Sequence, residues 1–137
     1  TRTPFIAHWP SVIKPGMTDQ VGHIIDISAT FRDITGAKYP KVINGKKTKL
    51  PIGKSLLPIF EGKKRDPHGE LYWHFGRANA IRQGDLKAVR QGKTPWELYD
   101  LKADPSELNN LAKTNQAKTK ELAKMWESWS KEIKYRP

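Results

Sequence analysis

Residues 78 to 101, Ala-Asn-Ala-Ile-Arg-Gln-Gly-Asp-Leu-Lys-Ala-Val-Arg-Gln-Gly-Lys-Thr-Pro-Trp-Glu-Leu-Tyr-Asp-Leu, constrain the chain more than any other stretch. They read as three short strands separated by two glycine-marked turns. Glycine accepts the positive φ of a tight hairpin, so Gly84-Asp85 predicts a two-residue tip and thereby a register. Gln83 then faces Leu86, Arg82 faces Lys87, Ile81 faces Ala88 and Ala80 faces Val89. Side chains alternate along a strand, which puts Ile81, Leu86 and Ala88 on one face and Ala80 and Val89 on the other. Neither face is purely polar. The sheet is therefore expected to be covered on one side and at least in part on the other.

The rest of the chain supplies elements to cover it. From about 115 to 134, Leu122, Met125, Trp126, Trp129 and Ile133 recur at helical spacing, a stripe that belongs on the sheet. Before it, Asp104-Pro105-Ser106-Glu107 has the residue types of a helix start, with Leu108 and Leu111 as the apolar side. Leu71 to Phe75 reads as another strand. In the first half, Thr3 to Trp9 is strand-prone and stopped by Pro10. Asp26 is placed to cap a helix over 27–35, with Ile27, Phe31 and Ile34 on one side and Gly36 closing it. Residues 37–54 read as a surface excursion, 55–60 as about one helical turn ended by Gly62, and 63–69 as a loop. The predicted class is α+β: a small antiparallel sheet of about four strands covered by a C-terminal helix, preceded by a strand and a helix.

Composition narrows the partners. Twenty-five Lys and Arg against 14 Asp and Glu give a formal charge of +11, which favours polyanions such as nucleic acid, acidic membrane surfaces or sulfated and carboxylated polysaccharides. The absence of cysteine excludes disulfides, thiolate metal sites and a cysteine nucleophile within the chain. No apolar run reaches the roughly 20 residues that cross a bilayer, and no signal-peptide pattern opens the chain, so no membrane partner is expected. Thr1 in place of methionine points to a processed product or a piece of a longer protein.

Several local patterns then fall in one order. They are Thr1 to Pro10, Ile25-Asp26-Ile27-Ser28-Ala29-Thr30 with Ala37, Ala80 to Lys87, and Trp96 to Leu101 followed by Asp104-Pro105-Ser106-Glu107 and Asn110-Leu111. This order resembles the C-terminal portion of type I, formylglycine-dependent sulfatases of the alkaline-phosphatase-like superfamily. The resemblance implies that 1–65 is the incomplete end of the α/β catalytic domain and 66–137 the C-terminal subdomain. It implies a parent enzyme hydrolysing sulfate esters, arylsulfatase-like and with sulfated glycans as candidate substrates, with calcium and a formylglycine residue. The implied partners are the missing N-terminal catalytic domain and an anionic sulfated substrate; the implied location is periplasmic, secreted or lysosomal. The chain departs from the family's catalytic pattern, because no Cys/Ser-x-Pro-x-Arg occurs: Ser55 is followed by Leu56, Leu57 and Pro58. The family's sulfate-contacting lysine would lie upstream of Thr1. No catalytic, metal or cofactor-binding residue is therefore assigned, and the chain alone is expected to be inactive.

The candidate substrate-binding residues are His74 and Arg77. His74 lies in an aromatic strand beside the loop Gly76-Arg77-Ala78-Asn79, where it can donate to a sulfate or hydroxyl while Arg77 presents a fork to paired oxygens. The alternative is a packed histidine and a solvated arginine. His8 and Arg2 read as parts of the first strand, His23 and Asp26 as helix-entry residues, and His68 as a loop residue. The four histidines form no zinc-ligand spacing. Trp126 and Trp129 read as core by their helical spacing, and Trp96 as packed, rather than as stacking platforms. A competing function is a free-standing basic polyanion-binding module without catalysis. Nucleic acid is disfavoured, because the aromatics follow core periodicities rather than alternating with exposed Arg and Lys.

Overall fold

The computed structural model describes residues 3–49 and 51–133. The readings of Arg2 and of the last predicted helical position, 134, lie outside the described residues. The chain divides into two compact units, Thr1–Pro67 and His68–Pro137.

The second unit holds the sheet and its helix. Strands β3 (Glu70–Phe75), β4 (Ala78–Gln83), β5 (Leu86–Gln91) and β6 (Glu97–Asp100) follow two earlier short strands, β1 (Val42–Ile43) and β2 (Lys46–Lys47). β3 to β6 form an antiparallel sheet in sequence order, each pairing with the next. The β4–β5 register is the one that the Gly84-Asp85 tip dictates, with Ile81 opposite Ala88 and Ala80 opposite Val89. Gly84 and Gly92 both carry φ of 58°, which explains why glycine stands at both turns.

Helix α3 (Gln116–Glu132) lies on the face bearing Ile81, Ala88 and Leu98, where those residues pack with Leu122 and Trp126. Asn115 caps it, its side chain accepting from the Lys118 N–H at 3.3 Å. The Trp126 indole donates to the Trp73 carbonyl at 3.0 Å, fixing the helix to edge strand β3. Trp129 stacks on Tyr72 with centroids 4.9 Å apart. Burial pushes the Tyr72 phenol above its usual pKa, with Glu70 and Glu132 adding to the effect. On the opposite face, Lys87 and Glu107 form a buried ion pair, Nζ to Oε1 2.6 Å. Tyr99 lies on that face too and donates to Glu97 at 2.9 Å; burial first, then this hydrogen bond, raises its pKa.

The helix predicted to start at Asp104 does not form. The Asp104 carboxylate instead accepts from Asn109 N, and Glu107 adopts φ of 58°, incompatible with a right-handed helix. The competing demand comes from β6, whose outer edge has its own backbone groups to satisfy. The Asn110 side chain accepts from Leu98 N at 3.2 Å, and Leu111 N donates to Leu98 O at 2.7 Å. Winding this segment into a helix would remove both bonds. Leu108 is left exposed, while Leu111 packs against the core.

The first unit contains α1 (Ile25–Thr35) and α2 (Leu57–Phe60) besides the β1–β2 hairpin. Gly36 closes α1 in the left-handed conformation, φ 68°, as its sequence position predicts. Asp26 is not the N-cap, which is Ile24. It sits inside the first turn, fully buried, and accepts from His23 N and Lys54 N at 2.9 Å each and from the Arg65 guanidinium at 3.1 Å. Arg65 also donates to the carbonyls of Lys54 and Val21. One turn on, Thr30 Oγ1 donates to Asp26 O and accepts from Leu56 N. These bonds draw the polar side of α1 inward, so Asp26, Ala29 and Thr30 are buried while Phe31 is 64% and Ile34 38% exposed. Of the predicted apolar side, Phe31 and Ile34 thus face outward within this unit while Ile27 stays half-buried.

Residues 3–9 are not a strand. β-prone residues need a neighbouring strand to take their backbone bonds, and the segment runs instead into a local turn in which Val12 N and Ile13 N donate back to Trp9 O. The excursion over 37–54 contains structure that composition hid. Asn44 and Gly45, at φ of 50° and 74°, form the tip joining β1 to β2, the preference of a two-residue primed turn.

Candidate functional site

Because the sheet is antiparallel and sequential, its turns separate chemistry by end. The end made by the β4–β5 tip carries Glu70, Asp85 and Asp100 together with Arg82 and Lys87, which pair with Asp85 and Glu107. The opposite end, made by the β3–β4 and β5–β6 turns, carries His74, Arg77, Arg90 and Lys93, with Glu97 at the start of β6. Like charges gathered at one rim raise the local concentration of anions there.

His74 and Arg77 both belong to this basic rim. His74 is directly opposite Asn79, and its Nδ1 lies 2.7 Å from Asn79 Oδ1, so the amide oxygen holds that nitrogen as the protonated one. The imidazole also leans on Trp126, centroids 6.0 Å apart. It points to the α3 side of the sheet, half-buried, as one part of a packed cluster. Arg77 is exposed, in the turn after Gly76. Its carbonyl accepts from Gly92 N at 2.7 Å, tying the two turns of the rim together. A Cβ at position 92 would come within 2.9 Å of Arg77 Nη2, so Gly92 leaves the guanidinium room to lie along the neighbouring turn.

Two members of the cluster were not singled out from sequence. Asn79 is opposite Arg90 on β5, so His74, Asn79 and Arg90 form a row across three strands. The Arg90 guanidinium lies over the rings of Trp96 at 4.8 Å and Trp126 at 5.7 Å. The hairpin register, extended one pair past Ala80 and Val89, would have found the Asn79–Arg90 pair. The stacking on Trp126 depends on how α3 crosses the sheet, which sequence spacing does not encode.

The other histidines belong to other segments of the chain. His23 is at the entry of α1, where its Nδ1 accepts from Ile25 N at 3.3 Å, and His8 and His68 lie in irregular segments. Among the described residues no group of three or more His, Cys, Asp or Glu could hold a metal ion. The carboxylate best placed for chemistry, Asp26, is committed to Arg65 and two backbone donors. No helix among the described residues is long and apolar enough to cross a membrane.

Comparison with known proteins identifies the family. The family model described as N-sulphoglucosamine sulphohydrolase, C-terminal, matches residues 1–134. An uncharacterized sulfatase of Schizosaccharomyces pombe is 34% identical over 133 residues, covering 91% of this chain and 24% of that protein. The N-acetylglucosamine-6-O-sulfatase of Bacteroides thetaiotaomicron is 32% identical over 150 residues, 97% of this chain and 25% of the enzyme. A protein solved in complex with its substrate D-glucosamine-2-N,6-O-disulfate superposes with a TM-score of 0.60 at 29% identity, over 92% of this chain and 27% of its own. The chain spans about a quarter of the length of the curated relatives it matches. Its sequence, its four-stranded sheet and its covering helix place it in the sulfatase family of the alkaline-phosphatase-like superfamily, to whose C-terminal region it corresponds.

Proposed function

We propose that this chain is the C-terminal region of an enzyme that hydrolyses sulfate esters of saccharides, and that His74 and Arg77 form part of the wall of its substrate pocket. The observation that carries the reading is the rim that gathers His74, Arg77, Arg90 and Lys93 at one end of the sheet, in a chain matched by the sulfatase family over residues 1–134. Arg77, exposed and anchored through its backbone to Gly92, can present paired N–H groups to a sulfate; His74, whose Nδ1–H is directed at Asn79, can accept from a saccharide hydroxyl through its other ring nitrogen. The first unit is read as the edge of the catalytic domain. Its outward-facing Ile24, Phe31 and Ile34 are the surface that a larger body would cover. Formylglycine and calcium belong, on this reading, to the rest of the longer protein, and this chain contributes scaffold and substrate contacts rather than the nucleophile.

Sulfate release from sulfated monosaccharides by the longer protein and by the 137-residue chain tests the reading. The longer protein is expected to release sulfate and the chain alone none. Release by the chain alone, or by neither on any sulfated saccharide, would remove the proposal.

A further inference from the structure

We propose that Arg90 is a second anion-binding position, one that takes an oxyanion substituent of the saccharide other than the ester being hydrolysed. This rests on the sulfatase reading above and names the feature of the substrate that the rim selects.

Three observations lead to Arg90. Its Nε is buried and, among the described residues, has no hydrogen-bond partner. A buried unpaired donor on a charged group is costly, and a water or a bound anion can supply the missing partner. Second, the guanidinium rests over Trp96 and Trp126, which support its face and hold its plane. A guanidinium stacked in this way keeps its edges for a bidentate oxyanion, and the rigid backing lowers the entropy lost on binding. Third, Glu97 at the start of neighbouring β6 does not compete for it: Glu97 lies opposite Val89, so it projects to the other face of the sheet, where it accepts from Tyr99. The row His74–Asn79–Arg90, beside the turn that holds Arg77, then offers one oxyanion contact at the rim and a second along β5.

The ligand class follows from the chemistry. A planar, permanently charged fork on an aromatic shelf suits a sulfate or carboxylate on a sugar ring: the ring can lie against the rim while its anionic group reaches the fork. A saccharide with one sulfate can fill only the reacting position, and one with a second sulfate or a carboxylate can also use Arg90.

The experiment uses the longer protein carrying this chain, with arginine side chains isotopically labelled so that the Arg90 Nε–H resonance can be followed by NMR. Arg90→Lys identifies the peak by its loss. Titration with D-glucosamine-2-N,6-O-disulfate is expected to shift this resonance saturably, with glucuronate as the carboxylate arm and unsulfated N-acetylglucosamine giving no shift. Arg90→Lys, which keeps charge but not the fork, is expected to weaken disulfate binding about tenfold with the melting temperature unchanged. A shift with disulfate alone assigns the position to sulfate, and one with glucuronate as well to oxyanions in general. An Arg90 resonance that stays fixed while the protein binds and hydrolyses the disulfate overturns this inference and leaves the sulfatase reading standing. If the protein hydrolyses no sulfate ester yet Arg90 still titrates with disulfate, the anion position stands and the sulfatase reading falls.

Discussion

Replacing Trp126 by alanine removes the side chain on which both the core and the rim depend. Trp126 is 6% exposed, packs against Ile81, Ala88, Leu98 and Leu122, and touches the rings of Trp96, Trp129 and His74. Truncating a buried tryptophan costs about 3–5 kcal/mol from lost burial and the cavity left behind. The Trp73 carbonyl also loses its indole donor, a loss of about 1 kcal/mol that belongs within the same range. For a unit of this size each kcal/mol moves the midpoint by roughly 4–8 °C, so the variant should melt about 12–40 °C lower. Trp126→Phe keeps most of the packing and loses the N–H, and should fall by roughly 5–15 °C. Near-UV circular dichroism during thermal unfolding is the assay, since four of the five tryptophans, Trp73, Trp96, Trp126 and Trp129, lie in this unit. A Trp126→Ala midpoint within about 5 °C of the parent chain would refute the packing argument.

Further outcomes follow from the same contacts. Asp26→Ala leaves Arg65, whose side chain is 4% exposed, without its carboxylate and should cost about 3–5 kcal/mol in a urea titration, and an unchanged midpoint would contradict the role given to Asp26. Tyr72 and Tyr99 both have pKa values raised above 10.0, so the unfolded chain releases these protons first. Their contribution is intact below pH 10.0 and is lost as pH rises through the higher folded values. Stability measured across that alkaline range should therefore decline less steeply in the Tyr72→Phe/Tyr99→Phe double variant than in the parent chain, and equal slopes would count against the assignment. Gly84→Ala, at φ 58°, should cost about 1–2 kcal/mol, whereas Gly69→Ala, with open space around it, should be close to neutral; equal effects would deny that Gly84 is needed for its conformation.

Much of the second unit was legible because its instructions are local. A glycine at each tip sets the register of β4, β5 and β6, and helical spacing alone marks Leu122 and Trp126 as the buried side of α3. Local instructions failed where a distant group made a stronger demand. Asp104-Pro105-Ser106-Glu107 has the chemistry of a helix start, but Asn110 and Leu111 are bound to Leu98 on the free edge of β6, and Glu107 is bound to Lys87. Asp26 has the chemistry of a cap, but Arg65, thirty-nine positions later, turns it into a buried hub and draws the polar side of α1 inward. The rim shows the same division. His74 and Arg77 could be singled out from composition and a turn, while the pairing of His74 with Asn79 needs the β3–β4 register, and the Arg90 stack needs the crossing of α3 over the sheet.

The central claim is that the basic rim contacts a sulfated saccharide, and kcat/KM for sulfate release from D-glucosamine-2-N,6-O-disulfate by the longer protein tests it most directly. His74→Ala and Arg77→Ala should each lower kcat/KM about tenfold or more, chiefly through KM, with the melting temperature unchanged for Arg77→Ala and lowered by several degrees for His74→Ala, which removes a bond to buried Asn79. Full kcat/KM in both variants would contradict the claim and reduce His74 and Arg77 to a packed histidine and a solvated arginine.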